Sequence, residues 1–423
     1  MDRTINKSRS ASSTEGRPSN KAADRYDRDS AAFRKALEKK AERKSGKVKD
    51  SAAYLKKRKK RRILAAVIPA AILIFLLALY LTFVYSSIPL IANWRTIWIE
   101  TAMSTRNHQW LATMFIPDSI IQEVLKNQVS YNEDVTGGGQ HLVEKNSNDE
   151  TPDSEPEPPK NDDILNQKSL KVGDKDYAGN TVLINDIEQG LVVSEIVGTN
   201  SLGTFRGKIM LIDDPARVYV GTTPYKNDYG LRMPAMMEYY DAIAGINGSG
   251  FYDPNENGDG GDVVGLCYSQ GEAWGYYTPY YGSVVLTTDN KLVVGNISDW
   301  EKYNIRDGIQ FGPALIADGE PQVSGTAGYG IHPRTAIGQR EDGVIVFLII
   351  DGRLPGYSIG CSVGDLVDIL LEYDVVNAGC CDGGASSVLA YQGEIITKNS
   401  SLHPDLGRML PNAFLVSKKE ATN

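Results

Sequence analysis

Histidine and cysteine are scarce, with four of each in 423 residues. So few, spread so widely, exclude a Cys/His-ligated structural metal framework and a disulfide-dense scaffold. The cysteines, Cys267, Cys361, Cys380 and Cys381, all lie in the C-terminal half. They read equally as one disulfide or as buried free thiols acting as small apolar side chains. Large apolar residues are sparse before Arg62, where Tyr26, Phe33 and Tyr54 are the only aromatics. Three isolated rings give no stacking pattern for a nucleic acid, and a nucleic-acid partner is not expected.

Charge is distributed as unevenly as the apolar residues. Met1 to Arg62 carry 22 Lys and Arg against 8 Asp and Glu, a net of +14; with the whole chain at −8, the remainder carries −22. Such a basic arm, rich in Ser, Lys and Ala, is expected to be disordered over 1–62. Charge is then missing altogether from 63 to 85, 23 residues that suffice to cross a hydrocarbon core of ~30 Å. The basic run 56–62 abuts this span and predicts a cytoplasmic N-terminus with the C-terminal body outside the cell. More than sixty residues precede the span, so an uncleaved anchor in the cell membrane is favoured over a secretory signal. Lipid is therefore one expected partner.

Beyond the span, 86–130 reads as a helical juxtamembrane stalk, whose aromatics are free to meet lipid, a partner helix or the body of the same chain. An acidic, Pro-rich stretch within 131–167 reads as an extended linker and a domain boundary. From 168 to 418 short β-rich runs alternate with Gly, Asn and Asp turns: 181–187, 190–197, 208–212, 218–220, 283–287, 292–294 and the very apolar 344–350. Helices are expected over 234–241 and 362–373, the second opened by Ser362 with Asp365 three residues on. The fold class is α+β, one extracellular domain with a large, mostly antiparallel sheet, preceded by one transmembrane helix.

Three polar segments beside apolar strands are candidates for chemistry. In Asp382-Gly383-Gly384-Ala385-Ser386-Ser387 the glycines let backbone N–H groups approach an anion, and Asp382 sits at a strand end as nucleophile, base or ligand. The plain alternative is an Asp-Gly turn. His332 and Arg334, two apart on an extended chain, face the same way; Arg353 follows a buried strand together with Asp351. Two guanidiniums and an imidazole suit a phosphate, with surface ion pairing as the alternative. The third segment is Asn247-Gly-Ser-Gly-Phe251. Beside it, Asp253, Asn255, Asn257 and Gly258 match the first half of a calcium loop, but Val264 stands where a bidentate Glu belongs. The loop reads as an Asx-turn-rich segment or as a calcium site formed by Asp253, Asn255 and Asn257; no other cofactor is expected.

Taken in order, Asn247-Gly-Ser-Gly-Phe251, His332-Pro-Arg-Thr-Ala-Ile-Gly338, Asp374-Val-Val-Asn-Ala378, Asp382-Gly-Gly384 and Pro411-Asn-Ala413 resemble the phosphodiester glycosidase family over roughly 245–416. The resemblance implies one pocket and hydrolysis of a sugar-1-phosphodiester. Asp382, His332 and Asp351 would be catalytic, and Asn247, Arg334, Arg353, Gly383, Gly384 and Ser386 would bind substrate. A glycan or exopolysaccharide of the cell envelope is the implied substrate. Ser249, Ala385 and Cys380-Cys381 depart from the family pattern, and these changes bear on pocket shape and sugar specificity. A non-catalytic envelope protein binding an anionic glycopolymer is the alternative function.

Overall fold

The run Ile345–Ile350 is buried at every position, as an uninterrupted apolar strand must be when both its faces are covered. Its side chains alternate between two cores. Val346, Leu348 and Ile350 pack with Val363, Leu366, Val367 and Leu370. Ile345, Phe347 and Ile349 pack with Val220, Ile246, Val284 and Phe414. This strand therefore lies inside a layered α+β body.

The structure, a computed structural model, describes residues 20–105, 108–126, 135–145, 169–253 and 258–420. Among these, Ile345–Ile350 belongs to an 8-stranded sheet running in the order Glu320–Pro321, Ala314–Ala317, Val375–Cys380, Arg334–Arg340, Ile345–Ile350, Gly203–Ile212, Leu191–Asn200 and Thr181–Asp186. A 5-stranded sheet contains Leu389–Tyr391, Ala242–Asn247, Asn412–Ser417 and Val218–Thr222, and a 6-stranded sheet contains Leu292–Gly295, Ser283–Thr287 and Ile305–Gln310. Every pairing between neighbours is antiparallel.

The helices are α1 (Asn20–Tyr85), α2 (Pro89–Met103), α3 (Trp110–Thr113), α4 (Asp118–Leu125), α5 (Met233–Tyr240) and α6 (Val363–Glu372). The capping box at α6 is complete, because the Ser362 side chain accepts from the Asp365 N–H and Asp365 accepts in return from the Ser362 N–H. The stripe Val363, Leu366, Val367 and Leu370 then falls on the sheet.

Of the arm 1–62, residues 20–62 are helical, since their many Ala, Lys, Arg and Glu are strong helix formers continuous with an apolar helix; residues 1–19 lie outside the described part. The apolar stretch of α1 is long and uncharged enough to cross a membrane.

The chain forms two compact units, 1–86 and 87–423. Thr136–Gly137 is the edge strand of the 6-stranded sheet. Glycine is required at 137, where a Cβ would lie 2.4 Å from Asn377 Oδ1 and 2.6 Å from Ala317 Cα. Of the expected stalk, α2 buries Ile97, Ile99, Glu100 and Ala102.

Candidate active site

The strand Val375–Cys380 ends against Arg334–Arg340, and the chain turns at once into Asp382-Gly383-Gly384. Three contacts fix the turn: Cys381 N–H donates to Thr335 O at 2.9 Å, Gly384 N–H to Pro333 O at 2.9 Å and Asp382 N–H to Gly248 O at 2.8 Å. The Asp-Gly-Gly, His-Pro-Arg and Asn-Gly segments are thereby brought together.

Asn247 is wholly buried and spends its amide inside the protein. Its Nδ2 donates to Asp382 O at 2.6 Å, while Oδ1 accepts from Thr335 Oγ1 at 2.8 Å and from Val388 N at 3.1 Å. It clasps three segments rather than facing a substrate. Asn412 does the same for Ser249, whose N–H donates to Asn412 Oδ1 at 2.8 Å and whose Oγ accepts from Asn412 Nδ2 at 2.6 Å.

Asp382 is half-buried and receives the Gly383 N–H on Oδ1 at 2.9 Å. Burial pushes its carboxyl above the usual range; Ser386, Arg408, the Gly383 N–H and Arg353 oppose that rise. The Ser386 hydroxyl faces the carboxyl without meeting hydrogen-bond geometry, and neither Ser386 Oγ nor the equally buried Ser387 Oγ has a protein partner. A raised carboxyl acted on by two arginines fits a polar ligand better than it fits a resting turn.

Arg353 occupies the left-handed region at φ 59°. Its guanidinium lies where a side chain on Gly384 would stand, 3.2 Å from the position of a Cβ. Its Nη2 donates to His332 Nδ1 at 3.2 Å. Because arginine can only donate, Nδ1 must be the accepting nitrogen, so neutral His332 carries its proton on Nε2. That proton points to Ser104 Oγ at 2.6 Å, and the serine hydroxyl donates to Glu100 O at 2.6 Å. The imidazole is held well below its ordinary pKa by burial and by Arg334 and Arg353, so it stays neutral near pH 7.

Arg334 is held by the backbone through Nε and Nη2. Its Nη2 donates to Tyr329 O at 2.8 Å and Gly330 O at 2.9 Å, and its Nε reaches Cys361 O at 3.4 Å. Asp351 points elsewhere: Oδ2 accepts from Tyr357 Oη at 3.1 Å and Oδ1 from Lys398 N at 3.1 Å. Burial raises its carboxyl to about 6 against the pull of Lys208, Lys398 and Tyr357.

Arg408 and Ser104 are not among the residues expected from the sequence. Arg408 acts electrostatically on both Asp382 and Arg353 and donates to Asp253 Oδ2 at 3.2 Å. Its one sequence signal is its place just before the Pro411-Asn-Ala413 motif. Asp253 also accepts the Gly258 N–H, five residues on, on both oxygens at 3.0 Å; Asn255 and Asn257, the other two expected calcium ligands, lie outside the described residues. No group of three metal-capable side chains occurs among the described residues. All four cysteines are free and buried.

Comparison with known proteins places a family around this cluster. Residues 240–417 match the family model described as phosphodiester glycosidase. The SPbeta prophage-derived uncharacterized protein YomE of Bacillus subtilis (strain 168) is 31% identical over 201 residues, 44% of this chain and 29% of that protein, so the chain spans under a third of that relative's length. Among solved structures, the zebrafish N-acetylglucosamine-1-phosphodiester alpha-N-acetylglucosaminidase catalytic domain, auto-inhibited by its pro-peptide, superposes with a TM-score of 0.47 at 19% identity, covering 54% of this chain and 84% of that one. A hypothetical protein from Synechocystis gives 0.40 at 16% identity over 56% and 64%. The segment that gathers Asn247, His332, Arg353, Asp382 and Arg408 lies within the stretch that matches the phosphodiester glycosidase family model.

Proposed function

We propose that this chain is a membrane-anchored, extracellular glycosidase that hydrolyses sugar-1-phosphodiester bonds in glycans of the cell envelope or exopolysaccharide. One observation carries the reading: within the family-matched segment, a buried-side carboxylate, Asp382, lies under the influence of two arginines, Arg353 and Arg408, with the Ser386 hydroxyl against it. Anchoring rests on the uncharged stretch of α1, and the outward orientation rests on the basic run before it.

In this reading Arg353 and Arg408 hold the phosphodiester, since guanidinium forks match phosphate oxygens. Water adds at the anomeric carbon as the bond from that carbon to oxygen breaks, and a phosphomonoester leaves. Its second pKa is about 6, so little protonation is required and charge stabilisation dominates. Asp382, ionised between the arginines, supports positive charge at the anomeric centre. With Nδ1 on Arg353 and Nε2 on Ser104, His332 positions the arginine and donates no proton to the departing oxygen.

The test is release of free sugar from benzyl N-acetylglucosamine-1-phosphodiester by the full chain in detergent, wild type beside Asp382→Asn. Turnover by wild type with a loss of about 10³-fold or more in the variant is expected. Equal rates would remove Asp382 from the chemistry. Tight binding of the diester with no release by either protein would favour the glycopolymer-binding reading.

A further inference from the structure

Leu90, Trp94 and Trp98 recur at every fourth position of α2, which puts them on one stripe of the helix. That stripe faces outward, with Leu90 70%, Trp94 45% and Trp98 46% exposed. Across the hairpin Trp110, Met114 and Phe115 are also exposed. The two elements are held to one another, because Trp98 Nε1 donates to Leu111 O at 3.1 Å and Gln109 Nε2 to Met103 O at 3.2 Å. The C-terminal half of α2 is committed to the body: Ile97, Ile99 and Ala102 are buried, and Thr101 Oγ1 accepts the Ile331 N–H at 3.1 Å. So large an ordered apolar surface with three tryptophans is not the face of a domain surrounded only by water.

We infer that this outer face of the α2–α3 hairpin is a membrane-contact surface, seated in the interfacial layer of the bilayer. The occupant follows from the chain itself. Only residues 86–88 separate α2 from a helix whose final stretch is long and uncharged enough to span a membrane. From Ser86 to Thr105 the charged residues are Arg95 and Glu100, and Glu100 is buried. Tryptophan, apolar with one polar N–H, is the side chain suited to the level of the headgroups.

The surface also bears on the substrate, a consequence that rests on the function proposed above. Ser104, at the end of α2, touches His332, so one wall of the candidate site is the inner side of the lipid-facing hairpin. An enzyme so placed takes sugar phosphodiesters attached at the membrane surface rather than those free in the medium.

The chain contains its own reporters. Of its 5 tryptophans, Trp94, Trp98 and Trp110 lie on this face, while Trp274 and Trp300 are buried in the body at 8% and 1% exposure. None falls within 63–85. The full chain is reconstituted in phosphatidylcholine/phosphatidylglycerol nanodiscs with and without brominated acyl chains, and tryptophan emission is recorded. Loss of about half of the emission is expected in brominated lipid, and the triple variant Trp94→Phe/Trp98→Phe/Trp110→Phe should retain residual emission that bromine does not change. Unquenched wild-type emission overturns the inference, and so does equal fractional quenching in the triple variant. Wild-type quenching decides the matter even where the variant fails to fold. Quenching without turnover of benzyl N-acetylglucosamine-1-phosphodiester would leave the contact surface standing and remove the enzymatic reading alone.

Discussion

Ser104 Oγ and His332 Nε2 stand 228 positions apart in the sequence and 2.6 Å apart in the structure. With Arg353 donating to the other ring nitrogen, the contact fixes the neutral tautomer protonated at Nε2. Nitrogen-15 NMR of the imidazole should therefore show that tautomer, unchanged from pH 8 to pH 6, since burial and two arginines hold the pKa well below its ordinary value. Titration with a midpoint near 6.5 would refute the assignment. Ser104→Ala should shift the Nε2 resonance and cost about 1–2 kcal/mol, because a buried donor loses its acceptor.

The Asp382 carboxyl is raised, mainly by burial, so its proton is lost only above the usual aspartate range. If the ionised form works, activity must fall as pH drops, along a limb that lies above 3.8. The pH profile of kcat/KM for the benzyl phosphodiester should show that acidic limb, and the residual activity of Asp382→Asn should lack it.

At Gly384 two constraints coincide, φ +66° and a Cβ position 3.2 Å from the Arg353 guanidinium. Gly384→Ala should destabilise by about 1–2 kcal/mol through backbone strain and should displace Arg353. Calorimetry and steady-state kinetics separate the two effects, and the KM for the phosphodiester should rise more than kcat falls.

Arg334 and Arg408 should behave oppositely on substitution. Arg334→Ala leaves the carbonyls of Tyr329, Gly330 and Cys361 without their donor. It should cost about 2–4 kcal/mol in denaturant unfolding. Arg408→Ala should leave the melting temperature nearer wild type and raise KM about tenfold or more, the signature of a lost phosphate ligand.

Asp351 provides a pH test of stability. Its folded pKa of about 6 lies above the ordinary 3.8, so the folded state binds the proton more tightly than the unfolded chain does. The sign follows: stability is highest below pH 4, falls as pH rises through about 6, and is then lower by about 2–3 kcal/mol. Melting temperatures between pH 4.5 and 7.5 should show this slope in wild type and a flatter one in Asp351→Asn. An unchanged slope in the variant would assign it to another group.

What was legible in the sequence was whatever depends on neighbours along the chain. The strand Ile345–Ile350 announced itself by an unbroken apolar run, and α6 by Ser362, Asp365 and its stripe. The turn at Asp382 was readable for the same reason. Roles set by distant partners were not. Arg334 looked like a phosphate ligand by its spacing from His332, yet carbonyls from a neighbouring loop claim it. Asn247 was implied as a substrate ligand by the resemblance alone; that it ties Thr335, Asp382 and Val388 depends on partners far along the chain. The helix over 20–62 was hidden by its charge, which suggested disorder although the residue types favour helix.

The acidic stretch around residue 150 has both its flanks in the same body. On one side Lys145 N–H donates to Lys302 O, and on the other Asp176 accepts from Tyr373 Oη at 2.6 Å. A segment whose two flanks join one body does not set the distance between that body and the apolar helix α1. Doubling its length would add only about 0.6 kcal/mol of loop-closure entropy. That makes it the place to insert a tag or a protease site, and it means that a fragment cut there and expressed from residue 161 onward would lose Ser104, an edge strand and one wall of the candidate site.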